Sequence, residues 1–388
     1  MYHFDQEIDR RNTDSYKWNV EEHELPMWVA DMDFETAPEI IEAMKKRVEH
    51  GVFGYPVIPD AWYEAYQGWW SKRHGFEMQK DWLMFCTGVV AAISSIVRKV
   101  TTVAENVIVM TPAYNIFFHS IYNNGRNILE NRLIYEDGTY RIDWEDLEEK
   151  CKNPQSTLLI LCNPQNPTGQ IWDKETLVRI GEICYQNHVI VLSDEIHCDL
   201  TLPGTEYVPF ASVNEINRKN SITCIAPTKT FNIAGIQSAA VCVPDAVLRH
   251  KVWRGLNTDE VAEGNVFAAD AAIAAFEKGE GWLEELRGYL AENRRLAEEY
   301  IDTQITGLRA VHGEATYLLW IDCSVLGIPS NQLAKTIRKS TGLYLSSGRE
   351  YRGDGVNFLR MNLACPKSRL EDGLERLKKA VEGYKRNL

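Results

Sequence analysis

Hydrophobic residues follow two patterns along the chain. In the first 250 or so residues, short apolar and β-branched runs recur between longer amphipathic stretches, at 83–87, 107–110, 158–162, 189–193, 222–226 and 239–243. Continuous rather than alternating apolarity is typical of strands that are buried on both faces of a mostly parallel sheet, with helices between them. The pattern therefore predicts an α/β fold for this part of the chain.

The second pattern begins near residue 280. A long charged amphipathic stretch at 282–301 precedes two strand-like runs, at 316–322 and 357–363, and a closing helical pattern at 368–384. That order predicts a smaller α+β domain. We expect a large domain over 46–280 and a small domain that combines 1–45 with 281–388.

Composition and charge exclude several classes of function. The 388 residues are 45% hydrophobic and 25% charged, which is ordinary for a globular protein, and the net charge of -13 repels polyanions. We therefore expect neither a nucleic acid nor a membrane as partner. The charged N-terminal stretch lacks the apolar core of a signal peptide, and the nine cysteines are scattered without a Cys-x-x-Cys pair. Both features predict a cytoplasmic protein, and the histidine spacing predicts no metal site.

Ligands of open parallel sheets bind outside the carboxyl ends of the strands, so the residues that follow each run are the candidates for chemistry. After 83–86 come Thr87, Gly88 and a helical pattern that Thr87 is expected to cap. Such a helix start can bind an anion, although a plain strand-to-helix turn also explains it. After 158–161 comes "CNPQNPTGQ", whose prolines and glycine predict a rigid loop that directs Asn166 toward a ligand, with an ordinary loop between sheet and helix as the alternative.

Two further strand ends carry ionisable residues. "SDEIHCD" places Asp194 at the carboxyl end of a strand. There it either caps the next turn or holds a heteroaromatic nitrogen of a ligand protonated. His197, three residues further on, is either a hydrogen-bonding neighbour or a packed histidine. "IAPTKTFNIAG" places Lys229 at the last of these ends. An anion-binding helix start, an amide, a carboxylate and an amine are the set that pyridoxal 5′-phosphate requires.

"NPQNPTG", "SDEIH" and "APTKTFNIAG", in this order, resemble the pyridoxal-phosphate enzymes of fold type I in the aminotransferase class I/II superfamily. More narrowly, "TDSYKW", "LPMWVADMDF", "FGYP", "RHGFEM" and "CTGVVAAI" resemble the carbon-sulfur β-lyases of the MalY/PatB type. The resemblance implies a large domain with a mostly parallel seven-stranded sheet and a smaller α+β domain.

The resemblance also implies roles for the residues around the cofactor ring. Lys229 would bond covalently to pyridoxal 5′-phosphate and act as the catalytic base. Asp194 would pair with the pyridine nitrogen, Asn166 would bond the ring hydroxyl, and Tyr114 would stack on the ring face. His197 is counted among the residues that bind the cofactor.

Further roles concern the phosphate. The backbone at Gly88, Val89 and Val90, with the hydroxyl of Thr228, would hold the phosphate group. Tyr55 resembles the tyrosine that reaches the phosphate from the neighbouring subunit, which implies a homodimer with shared sites.

One residue is implied for the substrate, and four positions of this chain depart from the patterns of related enzymes. Arg360 resembles the arginine that binds the α-carboxylate, although a strand-face ion pair is an alternative. Many aminotransferases have an arginine where this chain has Gln237 and a tyrosine where it has His197, and both differences favour the lyase branch. Within that branch, Thr228 stands where serine is common and Gln165 where histidine is common.

The predicted function is therefore α,β-elimination from L-cystathionine or related S-substituted L-cysteines, which yields a thiol, pyruvate and ammonia. A class I/II aminotransferase on the same fold is the main alternative. A catalytically idle binding or regulatory protein is the alternative from a different class.

Overall fold

The computed structural model describes residues 2–386. The strands in this range are β1 (Leu25–Pro26), β2 (Leu83–Cys86), β3 (Asn106–Thr111), β4 (Asn127–Arg132), β5 (Ile134–Glu136), β6 (Thr139–Arg141), β7 (Ser156–Cys162), β8 (Ile190–Asp194), β9 (Ser221–Ile225), β10 (Ala239–Cys242), β11 (Arg309–Ala310), β12 (Leu318–Asp322), β13 (Leu343–Tyr344), β14 (Ser346–Ser347) and β15 (Phe358–Asn362). The α-helices are α1 (Pro38–His50), α2 (Asp60–His74), α3 (Val89–Val100), α4 (Asn115–Tyr122), α5 (Trp144–Lys152), α6 (Lys174–Gln186), α7 (Glu215–Lys219), α8 (Pro227–Thr230), α9 (Ala246–Thr258), α10 (Ala268–Lys278), α11 (Glu280–Gln304), α12 (Ser330–Thr341) and α13 (Lys367–Arg386).

A seven-stranded sheet forms the centre of the molecule, in the order β2-β10-β9-β8-β7-β3-β4. Strand β10 is antiparallel to both of its neighbours, and the other pairs are parallel. All six apolar runs of the sequence are strands of this sheet. The seventh strand, β4, has the polar sequence NILENR and lies at the edge of the sheet. The α/β fold and its mostly parallel sheet are confirmed.

The two faces of this sheet are both covered. In β3, Val107 and Val109 join a hydrophobic cluster with residues of α3, α4 and α9. Ile108 and Met110, which alternate with them, join a second cluster with residues of α5 and α6. Alternate side chains of one strand thus enter separate cores, which explains why the runs are continuously apolar.

A second, antiparallel sheet has the order β11-β12-β15-β14 and packs against α12 and α13. Helix α11 connects the two parts of the molecule, because Trp282 near its start belongs to a cluster with α2 and α10, whereas Ile301 near its end belongs to the cluster under the second sheet. The division into 46–280 and 1–45 with 281–388 stays a prediction. Among the described residues, no helix combines the length and the apolar character that crossing a bilayer requires.

Candidate active site

A cavity of about 660 Å³ lies at the carboxyl ends of the parallel strands. Nine of the predicted site residues line it together: Gly88, Val89, Val90, Tyr114, Asn166, Asp194, His197, Thr228 and Lys229. The strand ends that carry them are separated by up to about 140 residues in sequence, and the parallel sheet brings them to one edge. Arg360 and Tyr55 are not among the lining residues.

One end of the cavity is suited to an anion. Helix α3 begins at Val89, and the residue before it is Gly88, which has no side-chain cap. The expectation that Thr87 caps this helix is therefore wrong, because the chain turns one residue later. The first N–H groups of the helix are left for a ligand, and nothing lies within 4 Å of the position that a Cβ at Gly88 would occupy. Thr228 is buried beside the same cavity.

Gln237 also lines this cavity. Its backbone is left-handed, with a φ of 57°, and it ends the short 3₁₀ turn that follows α8. The position at which many aminotransferases have an arginine therefore faces the site with a neutral amide in this chain.

Lys229 lies on α8, the single helical turn that follows β9, and its Nζ donates a hydrogen bond of 2.5 Å to the carbonyl oxygen of Ala30. Burial lowers the pKa of Lys229 to about 8. The negative charges of Asp31 and, more weakly, Asp194 oppose this shift, whereas the positive charge of Arg360 adds to it. An amine with this pKa is partly neutral near pH 7.5, as a base or nucleophile must be.

Asp194 is the last residue of β8, and one of its carboxylate oxygens accepts a 3.2 Å hydrogen bond from the N–H of Ile196. It therefore caps the following turn. The other oxygen accepts no hydrogen bond from a described residue, so it remains available to a cationic ring nitrogen. Burial raises the pKa of Asp194 to about 7, although the bond from Ile196 opposes the shift.

His197 is buried and lines the same cavity. Burial lowers the pKa of His197 to about 3, and the positive charges of Lys229 and Arg360 add to the effect, so the imidazole is neutral. Its Nδ1 is buried and finds no hydrogen-bond partner within residues 2–386. The ring lies edge-on to Tyr317.

Arg360 extends from β15 of the second sheet to Asn166, which lines the cavity. Its Nη1 donates to Oδ1 of Asn166 at 3.0 Å, and its Nη2 donates to the carbonyl oxygen of Trp28 at 2.8 Å. Its Nε is buried and has no partner in the described part of the chain. These two bonds fix the guanidinium and leave N–H groups for a carboxylate. The alternative of a strand-face ion pair is not what the structure shows.

The loop of Asn166 is rigid for identifiable reasons. Gly169 has a φ of 74°, and a Cβ there would lie 2.9 Å from the carbonyl oxygen of Ala315. Gln165 is fully buried, and its amide donates to the carbonyl oxygen of Pro112 at 2.7 Å. Gln165 is not a lining residue, so it supports the loop rather than facing the cavity.

The two predicted tyrosines lie in different environments. Tyr114 lines the cavity and packs edge-on against Phe117, and burial raises its pKa to about 12. Tyr55 is 100% exposed, in the loop between α1 and α2. Its predicted role needs a second subunit, so within one chain it stays a prediction.

Sequence reasoning missed the segment that covers Lys229. Ala30 lines the cavity, and its carbonyl oxygen accepts hydrogen bonds from Lys229 and, at 3.0 Å, from the hydroxyl of Tyr317. The motif "LPMWVADMDF" was the available signal, but nothing local in it reveals a contact with a residue 199 positions away.

The residues present fit pyridoxal 5′-phosphate with an amino acid beside it. The free N–H groups at the start of α3 suit a phosphate, and the open oxygen of Asp194 suits a protonated ring nitrogen. The buried Nδ1 of His197 and Nε of Arg360 are polar atoms whose desolvation a bound polar ligand would compensate.

Among the described residues, three side chains of the kinds that bind metal ions lie close together: His74, Cys198 and Asp199. None of them lines this cavity. One oxygen of Asp199 already contacts Nε of Arg73 at 3.1 Å and accepts a 3.0 Å hydrogen bond from Trp69. We therefore interpret this cluster as a structural hydrogen-bond and ion-pair network around the buried carboxylate of Asp199.

Comparison with known proteins agrees with this geometry. The family model described as aminotransferase class I and II matches residues 24–377. The cystathionine beta-lyase PatB of Bacillus subtilis (strain 168) is 41% identical over 384 residues, which are 97% of this chain and 99% of that protein. A PLP-bound C-S lyase from Staphylococcus hominis superposes with a TM-score of 0.91 at 31% identity over 98% of both chains. A PLP-bound putative aminotransferase from Clostridium difficile 630 superposes with a TM-score of 0.95 at 38% identity, over 98% of this chain and 100% of that one.

Proposed function

The chain belongs to the aminotransferase class I and II family, and from that premise we propose that it is a pyridoxal-phosphate-dependent carbon-sulfur β-lyase. It cleaves L-cystathionine or related S-substituted L-cysteines to a thiol, pyruvate and ammonia. The observation that carries the proposal is the cavity lined by the amine of Lys229, the carboxylate of Asp194 and the amide of Asn166, to which the guanidinium of Arg360 is hydrogen-bonded. The identity to PatB and the likeness to the S. hominis C-S lyase favour elimination over amino transfer.

When bound, pyridoxal 5′-phosphate supplies an electron sink that stabilises negative charge on the substrate Cα. Lys229 would hold it covalently, while Asp194, Asn166 and Tyr114 would face its ring nitrogen, hydroxyl and ring face. The backbone at the start of α3 and the hydroxyl of Thr228 would hold its phosphate.

The chain's own residues perform two tasks in elimination. Arg360 binds the substrate carboxylate through N–H groups that its bonds to Asn166 and Trp28 leave free. The Lys229 amine, which the amino group of the substrate would release from the cofactor, takes the proton from Cα, and burial favours the neutral form that this requires. Removal of that proton is what allows the thiolate to leave from Cβ.

We further propose a cytoplasmic homodimer in which Tyr55 contacts the partner's phosphate site. Support comes from the loop between α1 and α2, where Phe53, Tyr55 and Val57 are 55%, 100% and 82% exposed. Adjacent exposed apolar side chains of this kind are typical of a surface that another chain covers. The nine free cysteines are all buried, which suits a reducing compartment.

The test is to supply L-cystathionine to the purified holoenzyme and to follow pyruvate, with 2-oxoglutarate-dependent glutamate formation as the competing assay. We expect pyruvate without added keto acid. Glutamate formation that requires the keto acid and releases no pyruvate would assign an aminotransferase instead. Lys229→Ala should abolish turnover.

The role of Arg360 has a separate test. Arg360→Lys keeps the charge but loses the planar fork, so we expect KM to rise by about 10- to 150-fold, the equivalent of one charge-assisted hydrogen bond. The matched control is Arg126→Lys, since Arg126 is also buried and bonded to backbone carbonyls but, unlike Arg360, donates to no residue that lines the cavity. Equal KM values for the two variants would remove Arg360 from the substrate site.

A further inference from the structure

We propose that residues 28–34, here called the strap, set the distance between the amine of Lys229 and the guanidinium of Arg360. In this inference Asn232 and Asn362 are positioning residues that hold the strap from the two sides. It rests on the proposed roles of Lys229 as base and Arg360 as carboxylate ligand.

Both functional cations donate to the strap. Lys229 Nζ bonds the carbonyl oxygen of Ala30 at 2.5 Å, and Arg360 Nη2 bonds that of Trp28 at 2.8 Å. Lys229 follows β9 of the seven-stranded sheet, whereas Arg360 lies in β15 of the second sheet. The strap therefore joins two groups that belong to different sheets through carbonyls only two residues apart.

Asn232 holds the strap from the side of Lys229, three residues further along the chain. Its Oδ1 accepts from the N–H of Met32 at 2.9 Å, and its Nδ2 donates to the carbonyl oxygens of Met32 at 3.0 Å and Phe34 at 2.8 Å. The side-chain amide thus pairs with the backbone as a neighbouring strand would. Its φ of 55° places the residue in the left-handed region, which asparagine tolerates better than most residues.

Asn362 holds the strap from the side of Arg360, two residues further along β15. Its Nδ2 donates to the carbonyl oxygens of Val29 at 2.5 Å and Asp31 at 2.6 Å. These two carbonyls flank Ala30, the acceptor for Lys229. Its Oδ1 accepts from the N–H of Ala364, which fixes the amide orientation.

The far end of the strap is held by charge. Asp33 is completely buried and lies 2.9 Å from Arg10, 3.1 Å from Lys17 and 3.1 Å from Arg369. A buried carboxylate with three cations cannot shift without leaving charges unpaired. The strap is thus fixed at its end as well as on both sides.

Neither asparagine lines the cavity, and the oxygen and nitrogen of each side-chain amide are bonded to backbone groups, so both act through the strap rather than on the substrate. Proton removal requires the amine to lie within reach of Cα while the carboxylate is held, and a misplacement of about 1 Å can cost about 100-fold in rate. Loss of either amide should therefore impair both functional groups, although each amide lies close in sequence to only one of them.

The experiment uses holoenzyme carrying Asn232→Gly or Asn362→Ala. Glycine at 232 removes the amide but keeps the left-handed backbone without strain. Asn220→Ala is the matched control, because Asn220 also donates from its amide to a backbone carbonyl, that of Val189, but away from the strap. The readouts are hydrogen exchange of the strap amides and Cα-proton exchange of L-alanine in D₂O.

We expect faster hydrogen exchange at the strap and at least about tenfold slower Cα-proton exchange in both strap variants, with unchanged cofactor content. Asn220→Ala should resemble the parent in both readouts. Normal Cα-proton exchange in Asn232→Gly despite a mobile strap would overturn the inference, as would unchanged strap protection in both variants.

L-Alanine has no leaving group, so this exchange reports proton removal whether the enzyme is a lyase or an aminotransferase. A parent protein that exchanges the Cα proton but releases no pyruvate from cystathionine would contradict the proposed function while leaving the strap experiment valid.

Discussion

The amine of Lys229 in the cofactor-free protein should titrate near pH 8. Burial lowers its pKa to about 8 from the ordinary value of 10.5. At pH 7.5 about a quarter of the molecules then carry a neutral amine, against about one in a thousand for an ordinary lysine. The same change corresponds to about 3 kcal/mol of unfavourable free energy for the charged form in the folded apoprotein.

The assay is the rate at which apoprotein captures pyridoxal 5′-phosphate covalently, followed by absorbance between pH 6 and 11. We expect the rate to level off above about pH 8. Asp31→Asn should move the midpoint lower, since Asp31 raises the pKa of Lys229. Lys229→Met is the control that removes the amine and should show no capture at this site. A rate that still rises steeply between pH 9 and 10.5 would refute the reasoning.

The same pKa predicts a stability effect with a definite sign. Between about pH 8 and 10.5 the unfolded chain binds more protons at Lys229 than the folded apoprotein, so stability should rise with pH in this window. Lys229→Met should therefore stabilise the apoprotein at pH 7, because it removes a penalty of about 3 kcal/mol for the buried charge. Loss of the hydrogen bond to Ala30 should reduce this gain by about 1 kcal/mol. The gain should vanish near pH 10.5. Urea unfolding at the two pH values measures it, and destabilisation at pH 7 would contradict it.

Three other predictions follow from single residues. Burial raises the pKa of Asp33, but the neighbouring cations and Trp18 outweigh burial and hold this pKa below the ordinary 3.8. The contribution of Asp33 to stability is therefore lost as the pH falls below about 4. Asp33→Asn should cost about 3–5 kcal/mol in urea unfolding at pH 7, and a loss under 1 kcal/mol would argue against the network. Gly169→Ala should lower stability by about 1–3 kcal/mol, because its φ is 74° and its Cβ would meet the carbonyl of Ala315; an unchanged Tm would contradict this. Asp194→Asn should lower kcat by about 10- to 150-fold while cofactor stays bound, and a parental kcat would exclude its pairing with the ring nitrogen.

Much of the fold follows from local pattern. The six apolar runs are strands of the central sheet because both faces of that sheet are buried. Strand β4 was not predicted, since it lies at the edge, where only one neighbour and partial burial constrain its sequence and NILENR can be polar. Thr87 was wrongly expected to cap α3, because a helix start that serves a ligand need not be capped by its own side chain.

The residues at the strand ends and their order along the chain were enough to predict that Asn166, Asp194 and Lys229 meet, because parallel strands bring their carboxyl ends to one edge. Only the tertiary structure decided how these groups behave. The pKa of Lys229 depends on the desolvation produced by all the atoms around it. The contacts of the strap join segments about 200 to 330 residues apart, and Arg360 reaches the site from another sheet. Local sequence encodes which side chains stand at a strand end, whereas burial and long-range contacts are properties of the folded whole.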